Sequence, residues 1–399
     1  MCGIVGAVAQ RDVVPILIEG LRRLEYRGYD SAGVAVLNGT GTIKRLRAVG
    51  KVRMLQDALD ADPTHGLLGI AHTRWATHGV PSERNAHPHI SRDGIALVHN
   101  GIIENHEELR AELQAAGYEF TSETDTEVIA HRVHYHLQKT RDLFKAVRAT
   151  VAELEGAYAL AVISQKEPER LVLARQGCPV VIGLGDGENF VASDVAALLP
   201  VTRKFIFLEE GDVCEIRRDS YRILDRDGNT IQRKVHESEL SADAAEKGDF
   251  PHYMLKEIHE QPRAVAQTLE ERVAGGKLLE AAFGPAAQSV FAQTEAVRIV
   301  ACGTSYHAAS VAKYFIEQIC RLPCWVEIAS EYRYRNPVVP KNTLFVSVSQ
   351  SGETADTLAA LRMAKQAGYL SQLAICNVPE SSLVRESDLV MLTRAGPEI

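Results

Sequence analysis

The hydrophobic pattern of this chain changes within residues 235–250, and that change constrains the fold more than any other feature. The segment reads VHESELSADAAEKGDF, which is polar, acidic and without helical or strand periodicity. Short strand-like runs and turns precede it, whereas longer apolar runs separated by helical patterns follow it. A chain of 399 residues is also long enough for two or three cores. We therefore predict domains at 1–240 and 251–399, joined by a linker at 241–250.

The first 240 residues predict sheets that pack on each other and are flanked by helices. Asn38 and Gly39 lie between two extended runs, which is a hairpin signal. Apolar residues have helical spacing at 13–27 and at 105–117, where Gly117 is the expected stop. Six extended runs then follow, among them RKFIFLEEGDVCEIRR. So many strands with few helices favour packed sheets over a helical bundle.

The second domain has the pattern of a doubly wound α/β fold. A helical stretch at about 252–273 leads into four apolar runs typical of parallel strands, AVRIVACG, TLFVSVSQ, SQLAICNV and DLVMLTR. Helices are predicted between them at about 305–320 and 353–367. The final residues, TRAGPEI, come directly after a strand, so we expect this domain to be truncated at its C-terminal end.

Composition excludes several kinds of partner and location. Hydrophobic residues make up 46% and charged residues 24% of the chain, which is typical of soluble globular proteins. The net charge of −8 offers no basic face for nucleic acid. No apolar stretch reaches the roughly 18 residues that span a membrane, and a signal-peptide core is missing. The seven cysteines are scattered and odd in number, so we predict reduced thiols in the cytoplasm.

Two loops of the second domain share one plan. In ACGTSYHAAS and VSQSGETADT, an apolar strand leads through Gly, Ser and Thr into a helix. Helix N-terminal amides and small hydroxyls are suitable donors for a phosphorylated small molecule. Neither loop has the lysine or the spacing of a nucleotide P-loop, so ATP chemistry is not indicated. The plainer alternative is that Ser305, Ser351 and Thr354 only cap helices.

The cysteine at position 2 is the candidate nucleophile. Methionine aminopeptidase removes Met1 when the next side chain is small, which would make Cys2 both a thiol and an α-amine. A model thiol has a pKa of about 8.5 and a model α-amine of about 7.7–8.0, so the amine can accept the thiol proton. Alternatively, Cys2 is only a small apolar residue that begins a strand.

Two charged residues could recognise a free amino acid. Arg74 lies in AHTRWATHG, a segment that hydrophobic packing does not readily explain. A guanidinium can bind a carboxylate through two parallel hydrogen bonds. Asp125 could hold the ammonium group of the same ligand. The alternatives are a surface ion pair for Arg74 and a helix-start role for Asp125, since Thr124 and Glu127 fit a capping box.

Asn100 and Gly101 are candidates for an oxyanion hole. They end the apolar run ALVHN, so the Asn100 amide and the Gly101 backbone N–H could both donate to a tetrahedral oxygen. Glycine allows the backbone to approach the substrate closely. The alternative is that Asn-Gly simply forms a turn.

Histidines cluster at HPH (87–89) and at His131, His134 and His136. No cysteine or carboxylate stands at metal-ligand spacing beside them, so we do not predict a zinc site. We interpret them as surface or packing residues, and we predict no metal and no cofactor for the chain.

Taken together, these motifs closely resemble one enzyme family over essentially the whole chain. The motifs, in order, are MCGIVG, EYRGYDSAG, AHTRWATHG, VHNGIIEN, SETDTEV, ACGTS and SQSGETADT. They are similar to those of the isomerising glutamine–fructose-6-phosphate aminotransferases. MCGI alone would also fit other class II glutamine amidotransferases, and the loops of the second domain select this family among them.

For the first domain, the resemblance implies an N-terminal-nucleophile hydrolase fold, a four-layer α/β/β/α sandwich. Cys2 would attack the side-chain amide of L-glutamine, release ammonia and leave a thioester for water to hydrolyse. The glutamine would be bound by Arg74 at its carboxylate and by Asp125 at its ammonium group, with an oxyanion hole from Asn100 and Gly101. The pocket would also be lined by Trp75, Thr77 and His78. In this family the Trp75 loop closes over glutamine and gates an ammonia channel.

For the second domain, the resemblance implies a sugar isomerase (SIS) module that binds fructose 6-phosphate and yields glucosamine 6-phosphate. The matching positions are Thr304, Ser305, Ser349, Gln350, Ser351 and Thr354. The family is usually homodimeric. Because a second SIS module and a C-terminal tail are not in this sequence, we expect this chain to hydrolyse glutamine but to form little or no glucosamine 6-phosphate.

Two other functions remain open from the sequence. The first is another class II amidotransferase, although neither a diphosphoribosyl-binding loop nor an ATP-pyrophosphatase loop is found. The second is a non-catalytic sugar-phosphate sensor, because SIS modules also serve as ligand-binding domains. Replacement of Cys2 would abolish function only if the chain is an amidotransferase.

Overall fold

The computed structural model describes residues 2–25, 28–75, 79–238, 250–270, 272–274 and 276–396. The chain divides into two compact units, Met1–Ala242 and Asp243–Glu398. No helix in these described ranges combines the length and the apolar composition that crossing a bilayer requires.

In its described part, the first unit contains two antiparallel sheets, one of eight strands and one of seven. The strands are β1 (Gly3–Val8), β2 (Ser31–Leu37), β3 (Ile43–Val49), β4 (Leu68–Arg74), β5 (His89–Ser91), β6 (Ile95–Ile103), β7 (Gly156–Ser164), β8 (Leu171–Gln176), β9 (Val181–Leu184), β10 (Asn189–Ala192), β11 (Lys204–Phe207), β12 (Val213–Ile216), β13 (Tyr221–Leu224), β14 (Thr230–Ile231) and β15 (Val235–Glu237). The larger sheet has the order β15-β11-β9-β10-β1-β4-β2-β3, and the smaller one β14-β13-β12-β8-β7-β6-β5.

Helices cover the outer face of each sheet. They are α1 (Val14–Leu24), α2 (Val52–Ala61), α3 (His106–Ala115), α4 (Asp125–Thr140) and α5 (Leu143–Val151). In α1, Pro15 occupies the first turn, where its missing N–H costs no helical hydrogen bond, and Leu17 and Leu21 are fully buried. As predicted, α3 is followed by Gly117, whose φ of 84° suits the end of a helix.

The alternation of side chains along the strands builds three apolar layers between four structural layers. Val5 packs with α1 and α2 residues on one face of the larger sheet. Its neighbour Ile4 points the other way and packs with Val98 of the smaller sheet. On the far face of that sheet, Leu97 packs with α4 and α5 residues. The predicted α/β/β/α sandwich is therefore confirmed.

Two local sequence patterns fold differently from each other. The predicted hairpin at Asn38 and Gly39 is present, with β2 and β3 paired from Leu37↔Ile43 to Ser31↔Val49. The run RKFIFLEEGDVCEIRR, in contrast, is not one extended segment. It divides into β11 and β12, which belong to different sheets, at a turn that contains Gly211 with φ of 85°.

The second unit contains a five-stranded parallel sheet with helices on both faces. Its elements are α6 (Tyr253–Leu269), β16 (Val273–Ala274), β17 (Lys277–Leu278), α7 (Ala287–Gln293), β18 (Ala296–Ala301), α8 (Gly303–Phe315), β19 (Cys324–Ile328), α9 (Ala329–Arg333), β20 (Thr343–Ser349), α10 (Ala355–Ala364), β21 (Ser371–Cys376), α11 (Ser382–Glu386) and β22 (Leu389–Leu392). One core lies between the sheet and the helices α9, α10 and α11, and another on the side of α7 and α8. The predicted doubly wound fold is confirmed.

The order of this sheet is β19-β18-β20-β21-β22. After β18 the chain adds β19 on one side and then crosses to place β20 on the other side. The carboxyl ends of β18 and β20 therefore lie at the point where the strand order reverses, which is where ligands bind in folds of this type. The four predicted strands are present, whereas β19 was not predicted.

Candidate active site

Cys2 directly precedes β1 and lies beside the end of β4. Gly3 pairs with Thr73, so the antiparallel register brings the residues after β4 next to Cys2. The backbone N–H of Trp75 donates to Cys2 Sγ at 3.2 Å, and Sγ lies 3.5 Å from the Trp75 carbonyl oxygen. The backbone of Trp75, which the sequence analysis predicted for the same site, therefore holds the thiol.

The surroundings of Cys2 favour the protonated thiol. Burial raises the pKa of Cys2 above its usual range, and Asp30 raises it further. The hydrogen bond from Trp75 and the charge of Arg74 lower the pKa, but by less. Because the thiolate is the reactive form, this cysteine needs a proton acceptor before it can act as a nucleophile.

Arg74 is the last residue of β4 and is buried. One of its guanidinium nitrogens donates to the Gly79 carbonyl oxygen at 3.4 Å. The segment before β2 packs closely on it, because a Cβ at Gly28 would lie 2.8 Å from the Arg74 carbonyl carbon. Trp75 is 47% exposed, and its ring meets the edge of Tyr29 at 5.4 Å between centroids. The EYRGYDSAG motif therefore shapes the surroundings of Arg74 and Trp75.

Asn100 and Gly101 lie inside the continuous strand β6, so the alternative that they form a turn is wrong. Asn100 Nδ2 donates to the Cys2 carbonyl oxygen at 3.1 Å, and Asn100 Oδ1 lies 3.0 Å from His72 Nε2. Gly101 has φ of 129°, and a Cβ there would lie 1.9 Å from the Ala157 carbonyl oxygen. Only glycine fits this position of the strand.

Asp125 is the first residue of α4 and is buried. Its Oδ2 accepts the backbone N–H of Ile103 at 2.9 Å, so the carboxylate is directed to the end of β6. Helix capping is done instead by Thr124, whose hydroxyl accepts the N–H of Glu127 at 3.4 Å. The capping prediction thus holds for Thr124, and it leaves Asp125 available for another role.

The structure brings five of the predicted residues to one edge of the sandwich through these contacts. They are Cys2, Arg74, Trp75, Asn100 and Asp125. Gly101 adjoins Asn100 in the same strand. Thr77 and His78 lie outside the described residues.

Buried histidines surround this edge, and the sequence interpretation missed two of them. His72 lies in the motif AHTRWATHG, in strand β4, and His99 in the motif VHNGIIEN, in strand β6. Both side chains are buried. His99 Nδ1 lies 3.0 Å from Thr126 Oγ1. Their position in otherwise apolar strands could have indicated a functional role, because a buried histidine needs a hydrogen-bond partner.

The histidines at 87–89, His131 and His134 are packing residues rather than surface residues. His87 and His89 are buried, and their rings contact each other at 5.0 Å between centroids. His131 Nδ1 lies 2.8 Å from Ser91 Oγ. Their hydrogen bonds and ring contacts account for their presence.

The loop after β20 in the second unit is tied together by its own hydroxyls. Ser349 Oγ accepts the N–H of Gly352 at 3.0 Å and lies 3.3 Å from Thr354 Oγ1. Ser351 Oγ accepts the N–H of Glu353 at 3.2 Å. Thr354 stands at the N-cap of α10 but makes no capping hydrogen bond through its side chain. Helix capping therefore does not explain this loop.

The loop after β18 is shorter and leads directly into α8. Gly303, with φ of 56°, is the first residue of the helix, and Thr304 and Ser305 follow in its first turn. The N-cap position belongs to Cys302, so Ser305 is not a cap. Cys302 Sγ lies 3.9 Å from Thr357 Oγ1, so the start of α8 contacts the first turn of α10.

Gly352 and Gln350 fix the loop after β20 against the rest of the unit. Gly352 has φ of 66°, and a Cβ there would lie 2.1 Å from Ser381 Oγ. The Gln350 carbonyl oxygen accepts the N–H of Asn377 at 3.3 Å. Both contacts fix the loop to the segment that follows β21.

Comparisons with known proteins identify both parts of the chain. A family model described as "Glutamine amidotransferase domain" matches residues 72–200, and one described as "SIS domain" matches residues 291–399. The chain is 61% identical over 399 residues to the glutamine–fructose-6-phosphate aminotransferase [isomerizing] of Pseudomonas aeruginosa and 62% identical to that of Pseudomonas putida. Each alignment covers all of this chain and 65% of the relative, so the chain spans about two thirds of their length.

A solved structure is also similar in part. The C-terminal domain of glucosamine-fructose-6-phosphate aminotransferase from Francisella tularensis is 54% identical, covering 39% of this chain and 43% of that chain with a TM-score of 0.38. The assignment is carried by the two family models and the aligned relatives. Over its whole length the chain is similar to the glutamine–fructose-6-phosphate aminotransferases, and it carries a glutamine amidotransferase domain and a SIS domain.

Proposed function

We propose that this chain hydrolyses L-glutamine at Cys2 and supplies the ammonia for conversion of fructose 6-phosphate to glucosamine 6-phosphate. We assign the glutaminase reaction to residues 1–240 and sugar-phosphate binding to residues 251–399. The observation that carries the proposal is that one thiol, one buried guanidinium and one buried carboxylate meet at the same edge of the sandwich. A free amino acid with a side-chain amide has the matching groups.

Two charges select the amino acid. Arg74 would bind the α-carboxylate of glutamine, and Asp125 its α-ammonium group. Both side chains are at least nine-tenths buried, where water competes poorly for the ligand and a charge-assisted hydrogen bond is strong. Trp75, Thr77 and His78 are proposed to complete the pocket.

The first half of the reaction forms a thioester. With Met1 removed, the α-amine of Cys2 takes the thiol proton, and Sγ attacks the side-chain amide carbon of glutamine. The resulting oxyanion accepts hydrogen bonds from the Asn100 amide and the Gly101 N–H. An amide nitrogen has two hydrogens, and the Cys2 carbonyl takes one of them. The C–N bond then breaks as the ammonium of Cys2 gives its proton to the leaving amide nitrogen, which departs as ammonia.

The second half regenerates the enzyme. Water attacks the γ-glutamyl thioester, with the α-amine of Cys2 accepting a proton from it, and the same oxyanion donors stabilise the second tetrahedral intermediate. Its collapse breaks the C–S bond, releases glutamate and restores the thiol. Because its surroundings raise the pKa of the Cys2 thiol, the mechanism needs a proton acceptor beside Sγ, and the α-amine of Cys2 is proposed for this role.

In the second unit, the loops after β18 and β20 are proposed to bind the phosphate of the sugar. Both lead into helices of ten residues or more, so helix N-terminal N–H groups and hydroxyls can donate to an anion together. The ligating residues would be Thr304, Ser305, Ser349, Gln350, Ser351 and Thr354. Their position where the strand order reverses supports this site.

Location and partners are also proposals. The scattered free cysteines and the net charge of −8 support a cytoplasmic protein that does not bind nucleic acid. A homodimer is proposed from the family resemblance.

Labelling with a glutamine-like diazoketone tests the glutaminase proposal. We expect intact mass to show one adduct, located on an N-terminal peptide that begins with Cys2. Cys2→Ala should abolish both labelling and glutamine hydrolysis, whereas Cys178→Ala, which removes another half-buried thiol of this unit, should leave both unchanged. An adduct on another cysteine would refute the mechanism. Fructose 6-phosphate binding without any glutaminase activity would favour the non-catalytic sensor.

A further inference from the structure

His72 contacts the proposed oxyanion donor from behind. It lies in β4, is fully buried, and its Nε2 is 3.0 Å from Asn100 Oδ1 and 3.0 Å from the His99 carbonyl oxygen. Both partners are acceptors. The Cys2 carbonyl also accepts only, so the amide nitrogen of Asn100 faces Cys2 and the amide oxygen faces His72. Nε2 of His72 must therefore carry the hydrogen that both acceptors share.

The other ring nitrogen of His72 shows that the imidazole is neutral. Nδ1 is buried and has no hydrogen-bond partner among the described residues. The His87 ring packs on the imidazole at 4.2 Å between centroids, with the planes tilted by 34°. Burial lowers the pKa of His72 to about 3, and the nearby His99 and Arg74 lower it as well. An N–H at Nδ1 would be a buried donor without an acceptor, which is costly.

We propose that His72 is a positioning residue that holds the Asn100 carboxamide in the orientation that directs its NH₂ group to the oxyanion. This inference deepens the proposed glutaminase function and rests on it. The terminal torsion of an asparagine has a broad, roughly two-fold preference, so the amide itself scarcely resists a flip. A flipped Asn100 would present its oxygen to the developing negative charge and would repel it. The donor on His72 removes that alternative.

The same contacts continue to the other end of the substrate site. The His99 carbonyl shares the His72 donor, and His99 Nδ1 lies 3.0 Å from Thr126 Oγ1. The Thr126 hydroxyl in turn donates to Asp125 Oδ1 at 3.4 Å. One chain of hydrogen bonds therefore links the residue proposed for the oxyanion with the residue proposed for the α-ammonium group. His72 lies where this chain begins.

Two replacements of His72 separate the donor from the volume of the ring. In His72→Gln, the amide nitrogen can occupy the place of Nε2 and keep a donor, whereas His72→Leu keeps a similar volume without one. His134→Gln is the matched control, because His134 is also buried but bonds to the Tyr118 hydroxyl at 2.6 Å, away from Asn100. The measurement is kcat and KM for glutamine hydrolysis.

We expect His72→Leu to lower kcat by about 10²-fold, within the range for loss of an oxyanion donor, with KM within about 3-fold of the wild type. His72→Gln should recover about tenfold of that loss, and His134→Gln should match the wild type. Inhibition by the γ-aldehyde analogue of glutamine, which forms a tetrahedral adduct with Cys2, should weaken in parallel with kcat. Inhibition by glutamate, which forms no such adduct, should not change. Equal kcat in the two His72 variants would overturn the proposal.

A second measurement uses only the wild-type chain and needs no activity. The ¹⁵N shifts of the His72 imidazole should show a neutral ring with its hydrogen on Nε2 throughout the neutral pH range. A hydrogen on Nδ1 would overturn the inference even if His72→Leu fails to fold. If the wild type shows this tautomer but does not hydrolyse glutamine, the proposed function fails and the positioning of Asn100 stands. If the wild type hydrolyses glutamine but shows the other tautomer, the positioning role of His72 fails and the proposed function stands.

Discussion

Replacement of Gly101 by alanine tests whether the backbone of β6 is built for glycine alone. The new Cβ would lie 1.9 Å from the Ala157 carbonyl oxygen and 2.7 Å from its carbon. Ala157 lies in the neighbouring strand β7, opposite Ile102 in the register. Since this is backbone rather than a flexible side chain, the two strands must separate by more than about 1 Å, which breaks hydrogen bonds of the ladder.

The magnitude follows from two separate costs. A non-glycine residue at φ of 129° costs about 1–3 kcal/mol. Loss of one or two ladder hydrogen bonds adds about 1 kcal/mol each. We therefore expect Gly101→Ala to lower the free energy of unfolding by about 2–5 kcal/mol. Gly117→Ala isolates the conformational cost, because Gly117 has φ of 84° and no atom near its Cβ position. It should cost only about 1–2 kcal/mol.

The assay follows the first unit alone. Of the two tryptophans, Trp75 belongs to this unit, so urea unfolding is measured by fluorescence in a Trp325→Phe background. Glutamine hydrolysis is measured below the unfolding transition, where Gly101→Ala should be strongly impaired because its N–H is displaced. Equal unfolding free energies for Gly101→Ala and Gly117→Ala, with normal hydrolysis in the former, would refute the reasoning.

Two further predictions concern Glu127 and Ser349. Burial raises the pKa of Glu127, but hydrogen bonds from the backbone and hydroxyls of Thr121 and Ser122 outweigh it and lower the pKa below the usual value. Since the folded pKa is the lower one, this stabilisation is complete above the unfolded pKa of about 4.3 and is lost as the pH falls through the folded pKa. Glu127→Gln should thus lower the unfolding free energy by about 2 kcal/mol at pH 7, and the difference from wild type should shrink in acid; a pH-independent difference would contradict this. Ser349→Ala, which frees the Gly352 N–H, should weaken fructose 6-phosphate binding about tenfold by calorimetry, a loss of about 1.4 kcal/mol. Ser310→Ala, which removes a hydroxyl bonded within α8, should bind normally, and equal affinities would contradict the proposed loop.

The sequence was most informative where one strong local requirement decided the structure. The change of pattern near residue 240 indicated two folds, and the apolar runs of the second unit gave four of its five parallel strands. Strand β19 was not predicted because it is a five-residue edge strand. Four of its five side chains are at least partly exposed, so it lacks a continuous apolar run. A short edge strand owes its existence to pairing with β18, which the local sequence does not encode.

The candidate site was predicted through its motifs, and the motifs did not show how the residues support one another. Asn100 and Gly101 carry a strong local turn signal, yet pairing with β7 keeps them in a strand. Likewise, His72 resembles any histidine in a strand until its distance to Asn100 is known. For Asn100 and Gly101, strand pairing overrides the local turn preference. For His72, the role becomes visible only through a side-chain hydrogen bond to another strand.

The place of β1 in its sheet has a consequence for how the site is assembled. One neighbour of β1 is β4, but the other is β10, with Val5 opposite Ala192. The strand that follows the nucleophile therefore gains its second partner only after 192 residues have been synthesised. Until then, one edge of β1 is unpaired and can pair with other strands. A ribosome-bound chain that ends before β10 should consequently lack a stable Cys2 site, although every residue proposed to bind glutamine is already present.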